Sequence, residues 1–133
     1  MLPIQVYLVD DNPEFLRAAA HFLSTDPGIE IVGQALSSRY ALENLARLEP
    51  DLVLMDLAMP ELDGIEVTRH IKMQAHAPRV IILTLYDGPQ YRSQARAAGA
   101  DGFVAKSEFG ERLLPLIYEI CGRNGLVEPL DEA

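Results

Sequence analysis

Short apolar runs alternate with stretches of helical periodicity along most of the chain. The runs are Ile4–Val9, Ile29–Ala35, Leu52–Met55, Val80–Leu83 and Gly102–Ala105. The third and fourth are apolar at every position, the pattern of strands covered on both faces. Between the runs lie amphipathic stripes, each of which predicts a helix with one buried face. Phe15, Ala19, Phe22 and Leu23 form the first, and Ala41, Leu42, Leu45 and Leu48 the second. Ile65, Thr68 and Ile71 form the third, Tyr91, Ala95 and Ala98 the fourth, and Leu113, Leu116, Ile117 and Ile120 the fifth. Five β-then-α units predict an α/β fold: a doubly wound parallel sheet with helices on both faces and right-handed crossovers.

The punctuation agrees with this reading. Asn12-Pro13-Glu14 has an N-cap residue, a proline suited to a first helical position and an acid near the positive helix end. Asp63 with Glu66, and Asp87 with Gln90, have capping-box spacing. Gly99 stands where a left-handed residue would stop a helix. Pro115 fits a helix that starts near Arg112, because first-turn amides have no intrahelical partner.

Composition narrows the function classes. The 133 residues suffice for one domain with a real core. Twenty acidic residues against 11 basic ones give a formal charge of -9, a field unsuited to phosphate backbones or anionic lipid. One cysteine, Cys121, excludes an internal disulfide and fits a reducing compartment. No signal peptide or membrane span is expected, and the chain is read as cytoplasmic. No glycine-rich nucleotide loop follows any run, and His21, His70 and His76 lack zinc-site spacing.

The candidate chemistry lies at the run ends. Asp10 and Asp11 follow the first run, Asp56 closes the third, Thr84 the fourth, and Lys106 follows the fifth. Singly, each has an ordinary reading as a helix-start acid, a strand end or a surface charge. Together they occupy the carboxyl edge of a parallel sheet, where such folds place their sites. Adjacent carboxylates repel by roughly 1–4 kcal/mol per pair, so the cluster needs a counter-charge. Mg²⁺ suits it, as a hard ion that takes a few carboxylates and accepts a phosphate oxygen. Lys106 supplies a fixed positive charge and Thr84 a hydroxyl donor. The reaction that uses all of them is phosphoryl transfer to Asp56 as nucleophile, giving an aspartyl phosphate.

The chain resembles the receiver domain of two-component response regulators from Ile4 to about Gly122. The matching pieces are Val9-Asp10-Asp11, Leu54-Met55-Asp56 through Met59-Pro60 to Asp63-Gly64, Thr84, Ala98-Gly99-Ala100-Asp101-Gly102, and Lys106. Leu83-Thr84-Leu85-Tyr86, Ala100-Asp101-Gly102-Phe103 and Lys106-Ser107 are most similar to the nitrate-regulator (FixJ-like) group. The resemblance implies a flavodoxin-like sheet of order 2-1-3-4-5 with five helices and a receiver over 1–122, while the glycines, Pro129 and acids of 123–133 read as a solvated acidic tail. It implies Mg²⁺-dependent phosphorylation of Asp56 by a histidine kinase or phosphotransfer protein, with Mn²⁺ as a substitute ion. Asp11, Asp56 and the backbone carbonyl of Ala58 would ligate the ion directly, Asp10 through water, and Phe103 would couple its rotamer to Thr84 as the switch. Such a domain catalyses its own phosphorylation and dephosphorylation while acting as a signalling switch on a downstream protein. Phosphorylation-dependent homodimerisation is left open.

Three departures carry expectations of their own. Ser107 stands where many receivers have proline after the lysine, so a trans peptide and a differently shaped loop are expected. Leu85, where a small residue is usual, and Tyr86 are expected to wall the site. No residues remain for a helix-turn-helix output module, so direct nucleic-acid binding is not expected. The alternatives are a phosphate sink or relay, the receiver half of a DNA-binding regulator, and an interaction module that keeps the fold without the chemistry.

Overall fold

The alternation of runs and stripes folds as five strand–helix units in a computed structural model that describes residues 2–122. The expected acidic tail, 123–133, lies outside the described residues. The strands are β1 (Ile4–Val9), β2 (Ile29–Ala35), β3 (Leu52–Met55), β4 (Arg79–Thr84) and β5 (Gly102–Ala105). The helices are α1 (Pro13–Ser24), α2 (Ser38–Leu48), α3 (Gly64–Lys72), α4 (Pro89–Ala97) and α5 (Phe109–Ile120). All strand pairs are parallel, and the sheet order is β2-β1-β3-β4-β5. This is the expected doubly wound fold.

Strand alternation divides the core into two layers. Tyr7 and Val9, Val53 and Met55, and Val80 and Ile82 face α2, α3 and α4. Their neighbours Val6 and Leu8, Leu52 and Leu54, and Ile81 and Leu83 face α1 and α5. The helices answer with buried stripes: Ala41 and Leu45 on α2, Ile65 and Ile71 on α3, Leu113 and Ile117 on α5. Fully burying each large side chain of this kind contributes about 1.5–3 kcal/mol.

The caps hold where short side chains reach the first turn. Asn12 accepts from the amides of Glu14 and Phe15, and Asp63 accepts from that of Glu66. Gly99, at φ 102°, stops α4 in a left-handed conformation. Asp87 does not cap: Gly88 holds the N-cap position of α4, and the Asp87 carboxylate instead binds Arg92 at 2.6 Å. A second correction concerns α5, which begins at Phe109 behind a single 3-10 turn, Lys106–Glu108, and not near Arg112. Pro115 therefore sits inside the helix, where it removes one backbone donor. Every described peptide is trans, including the one before Ser107, and a 3-10 turn leads into α5.

At the edge opposite the candidate site, Asp101 ties α3 and β4 to the segment that leads into β5. It takes Lys72 of α3 at 2.8 Å, Arg79 of β4 at 3.5 Å and the Val80 amide at 2.9 Å. That part of the Ala98–Gly102 motif is a structural clamp.

Candidate phosphoacceptor site

The sheet ladder continues one residue past two strands. The Asp10 amide donates to Ala35 O at 3.1 Å, and the Asp56 amide to Val9 O at 3.0 Å. Both backbones are thus fixed side by side at the carboxyl edge, and both residues are buried, at 2% and 5% exposure. Asp11, next in sequence, is exposed and stands on the solvent side. Carboxylate oxygens of all three lie within 4.8 Å of one another.

Lys106 reaches the cluster from the end of β5. Its Nζ lies 2.7 Å from Asp10 Oδ2 and 3.7 Å from Asp56 Oδ2. The other Asp10 oxygen accepts from the Asn12 amide at 2.9 Å, which orients the carboxylate toward the lysine. Thr84 is fully buried, and its Oγ1 accepts from the Tyr86 amide at 3.2 Å, leaving the hydroxyl proton to be donated elsewhere.

Asp56 ionises above the ordinary aspartate value of 3.8. Burial is the main cause and the Asp10 charge the second. The Lys106 ammonium and hydrogen bonds from the Thr84 hydroxyl and the Ala58 amide pull the other way. Three carboxylates against one ammonium leave the cluster short of positive charge. A hard divalent cation matches both that deficit and the all-oxygen donors, so the residues fit Mg²⁺.

The loop after Asp56 is held tightly. The Gly64 amide donates to Leu57 O at 2.9 Å, the Met59 amide to the same oxygen at 3.1 Å, and the Ser38 hydroxyl to Leu62 O. A side chain at Gly64 would strike the Asp56 carbonyl, with Cβ 2.0 Å from that oxygen.

Phe103 lies outside the carboxylate cluster. The β4–β5 register pairs Ile82 with Phe103 and Thr84 with Ala105, which puts Phe103 on Thr84's face of the sheet, one step away from the site. It packs partly buried against the core on that face, and the Arg92 guanidinium covers its ring at 4.6 Å. Leu85 is 74% exposed, its side chain out in solvent. Tyr86 is the one that flanks the site. Its ring meets that of Tyr91 at a tilt of 46° with centroids 5.5 Å apart, and it lines a cleft of about 320 Å³ with Leu57 and Ala58. Alternation ends with β4, so the expectation for the two residues held for only one. Sequence reasoning also missed Phe15, whose ring lies under the Lys106 ammonium at 4.2 Å, because it reads as one more member of the α1 core stripe.

The family model for the response regulator receiver domain matches residues 6–118. The chain belongs to the response regulator receiver family. This receiver is 37% identical to the response regulator protein VraR of Staphylococcus saprophyticus over 129 residues, covering 96% of this chain and 61% of that protein. It is also 37% identical to a protein-glutamate methylesterase/protein-glutamine glutaminase of Nocardioides sp., covering 92% of this chain and 37% of that protein. The chain thus spans roughly a third to three fifths of the length of such curated relatives. Among solved structures, the signal receiver domain of the putative response regulator NarL from Mycobacterium tuberculosis superposes with a TM-score of 0.87 at 27% identity, covering 93% of this chain and all of that one. A LuxR-family two-component response regulator from Aurantimonas sp. gives 0.86 at 33% identity, covering 90% and 86%. Receivers are the phosphoryl-accepting modules of two-component signalling and, as a class, are phosphorylated by histidine kinases. No helix among the described residues of this receiver is long and apolar enough to cross a membrane.

Proposed function

We propose that this receiver takes a phosphoryl group onto Asp56 from a histidine kinase or phosphotransfer protein and thereby changes its affinity for a protein partner. The supporting observation is the placement of Asp56: a buried carboxylate on the central strand edge, between Asp10 and Asp11 on one side and Lys106 with Thr84 on the other. An Asp56 oxygen attacks phosphorus in line as the donor's bond to phosphorus breaks, and the leaving group keeps the electron pair of that bond and takes a proton from solvent. Lys106 offsets charge on the transferred group, and the Thr84 hydroxyl donates to one of its oxygens. Asp10, Asp11, Asp56 and the Ala58 carbonyl would hold Mg²⁺, which supplies charge neutralisation when bound. The phosphoryl group adds roughly 1.5–2 negative charges, enough to bias a two-state domain through a few new charge-assisted bonds. Phe103, on Thr84's face, would carry that change toward α4. A cytoplasmic place of action goes with this reading, and the charge of -9 supports a protein partner in preference to direct contact with nucleic acid.

The test is incubation with a small phosphodonor and Mg²⁺, followed by intact-mass measurement and peptide mapping. One acyl phosphate on Asp56, absent from Asp56→Asn, is the expected result. A modification that persists at full yield in Asp56→Asn refutes the assignment.

A further inference from the structure

We infer that Phe15 is a positioning residue for Lys106: its aromatic face holds the ammonium beside the Asp10–Asp56 pair. The inference deepens the proposed function and rests on it. Lysine carries its charge on a flexible four-carbon stem, so a site that needs the charge at one point must restrain it. Two carboxylates and one ring surround Nζ among the described residues. Asp10 Oδ2 is in hydrogen-bond range at 2.7 Å, Asp56 Oδ2 is beyond it at 3.7 Å, and the centroid of the Phe15 ring lies at 4.2 Å. Asp10 is an unreliable anchor, because it also belongs to the carboxylate set that fits a cation. A cation drawn to Asp10 competes with the ammonium for it. The ring is the neighbour whose attraction does not depend on the charge state of the acids, since it comes from the fixed quadrupole of the π system.

The ring is itself braced. Phe15 meets Phe109, the first residue of α5, at 5.5 Å in an edge arrangement, and Phe109 meets Phe22 at 5.3 Å. Lys106 lies in the 3-10 turn that leads directly into Phe109, so the support and the supported charge share one rigid corner of the fold. The Lys106 side chain is only 10% exposed, and a desolvated ammonium gains more from a ring than an exposed one does.

The chain contains two lysines, Lys72 and Lys106, which makes the contact directly observable. Lysine-selective ¹³C labelling of the full chain yields two side-chain signals, with Lys72 as the internal reference on Asp101. The ε-methylene protons of Lys106 are expected upfield in wild type and in Phe15→Tyr, and at ordinary positions in Phe15→Leu and Phe15→Met. Mg²⁺-dependent labelling by a small phosphodonor should slow between about two- and thirtyfold in the Leu and Met variants, the range that a cation–π contact supports, and recover in Phe15→Tyr. Phe22→Leu, which removes a ring that touches Phe109 and not the lysine, should slow labelling far less than the Phe15 variants do. Wild-type rates in both apolar variants overturn the inference, as does an equal loss in Phe22→Leu, which would reduce Phe15 to packing. Absence of labelling in wild type would refute the phosphoacceptor reading, whereas the lysine signals, read without any donor, test the contact by themselves.

Discussion

Gly64→Ala should disable the site while leaving the fold intact. The glycine opens α3, and its backbone rests against the residue proposed to accept the phosphoryl group. An added Cβ would lie 2.0 Å from the Asp56 carbonyl oxygen and 2.8 Å from its carbon. Real Cβ contacts essentially never fall under 3.0 Å, so the two segments must part by roughly 1 Å. Neither side yields freely. The Asp56 amide is in the sheet ladder with Val9, Gly64 is bonded to Leu57, and Asp63 caps the helix start. Overpacking of this kind costs about 1–3 kcal/mol, which a domain of this size survives. The catalytic loss should be the larger effect, because a misplacement of about 1 Å lowers a rate on the order of 100-fold. Gly110→Ala is the matched control: a Cβ there meets nothing within 4 Å, and α5 should gain up to about 1 kcal/mol in stability. Urea unfolding gives the stabilities, and intact-mass kinetics with a small phosphodonor and Mg²⁺ give the rates. Wild-type labelling by Gly64→Ala at unchanged stability would refute the argument from this close approach.

Three further outcomes test single groups. Asp56 binds its proton more tightly in the folded chain than its ordinary value of 3.8, so the native state holds more protons than the unfolded one as pH rises from that value through the folded one. Stability therefore falls across that window, and Asp56→Asn should stabilise the Mg²⁺-free protein near neutral pH but not below about pH 4, as read by denaturant unfolding at both. A benefit equal at the two pH values would contradict the burial argument. Asp11→Asn should weaken Mg²⁺ binding in calorimetric titration while Lys106→Ala preserves or tightens it, and equal losses would refute that division of roles. The Tyr7 hydroxyl is pushed up to about 12 from 10.0, chiefly by burial, and has no hydrogen-bond partner among the described residues. Tyr7→Phe should then be neutral or stabilising by up to about 1 kcal/mol in urea unfolding, and a loss of that size would show that the hydroxyl is paired.

What the chain discloses by pattern and what it hides divide along a physical line. Strands covered on both faces must be apolar throughout, so β3 and β4 could be read directly. The polar residues that interrupt those runs had to lie at their ends, and the parallel order then gathers Asp10, Asp56, Thr84 and Lys106 at one edge. Local spacing likewise reveals Asn12 and Asp63 as caps, since each acts within its own first turn. Competition between partners is invisible to spacing. Asp87 has the offset of a cap but bonds to an arginine, and the start of α5 is set by a 3-10 turn whose N-cap residue makes no side-chain cap bond. Leu85 and Tyr86 differ in the same way, because no periodicity governs a chain leaving its strand. Phe15 is the instructive case. As sequence it is a core aromatic on a helix stripe, and it does pack against the core. Its second role exists only because α1 and the β5–α5 turn meet in space and put a charge over its face. A residue that serves packing and chemistry with the same atoms leaves a periodic signal for the first alone. Such residues are found by asking what restrains each functional side chain, and here that question leads from Lys106 to Phe15.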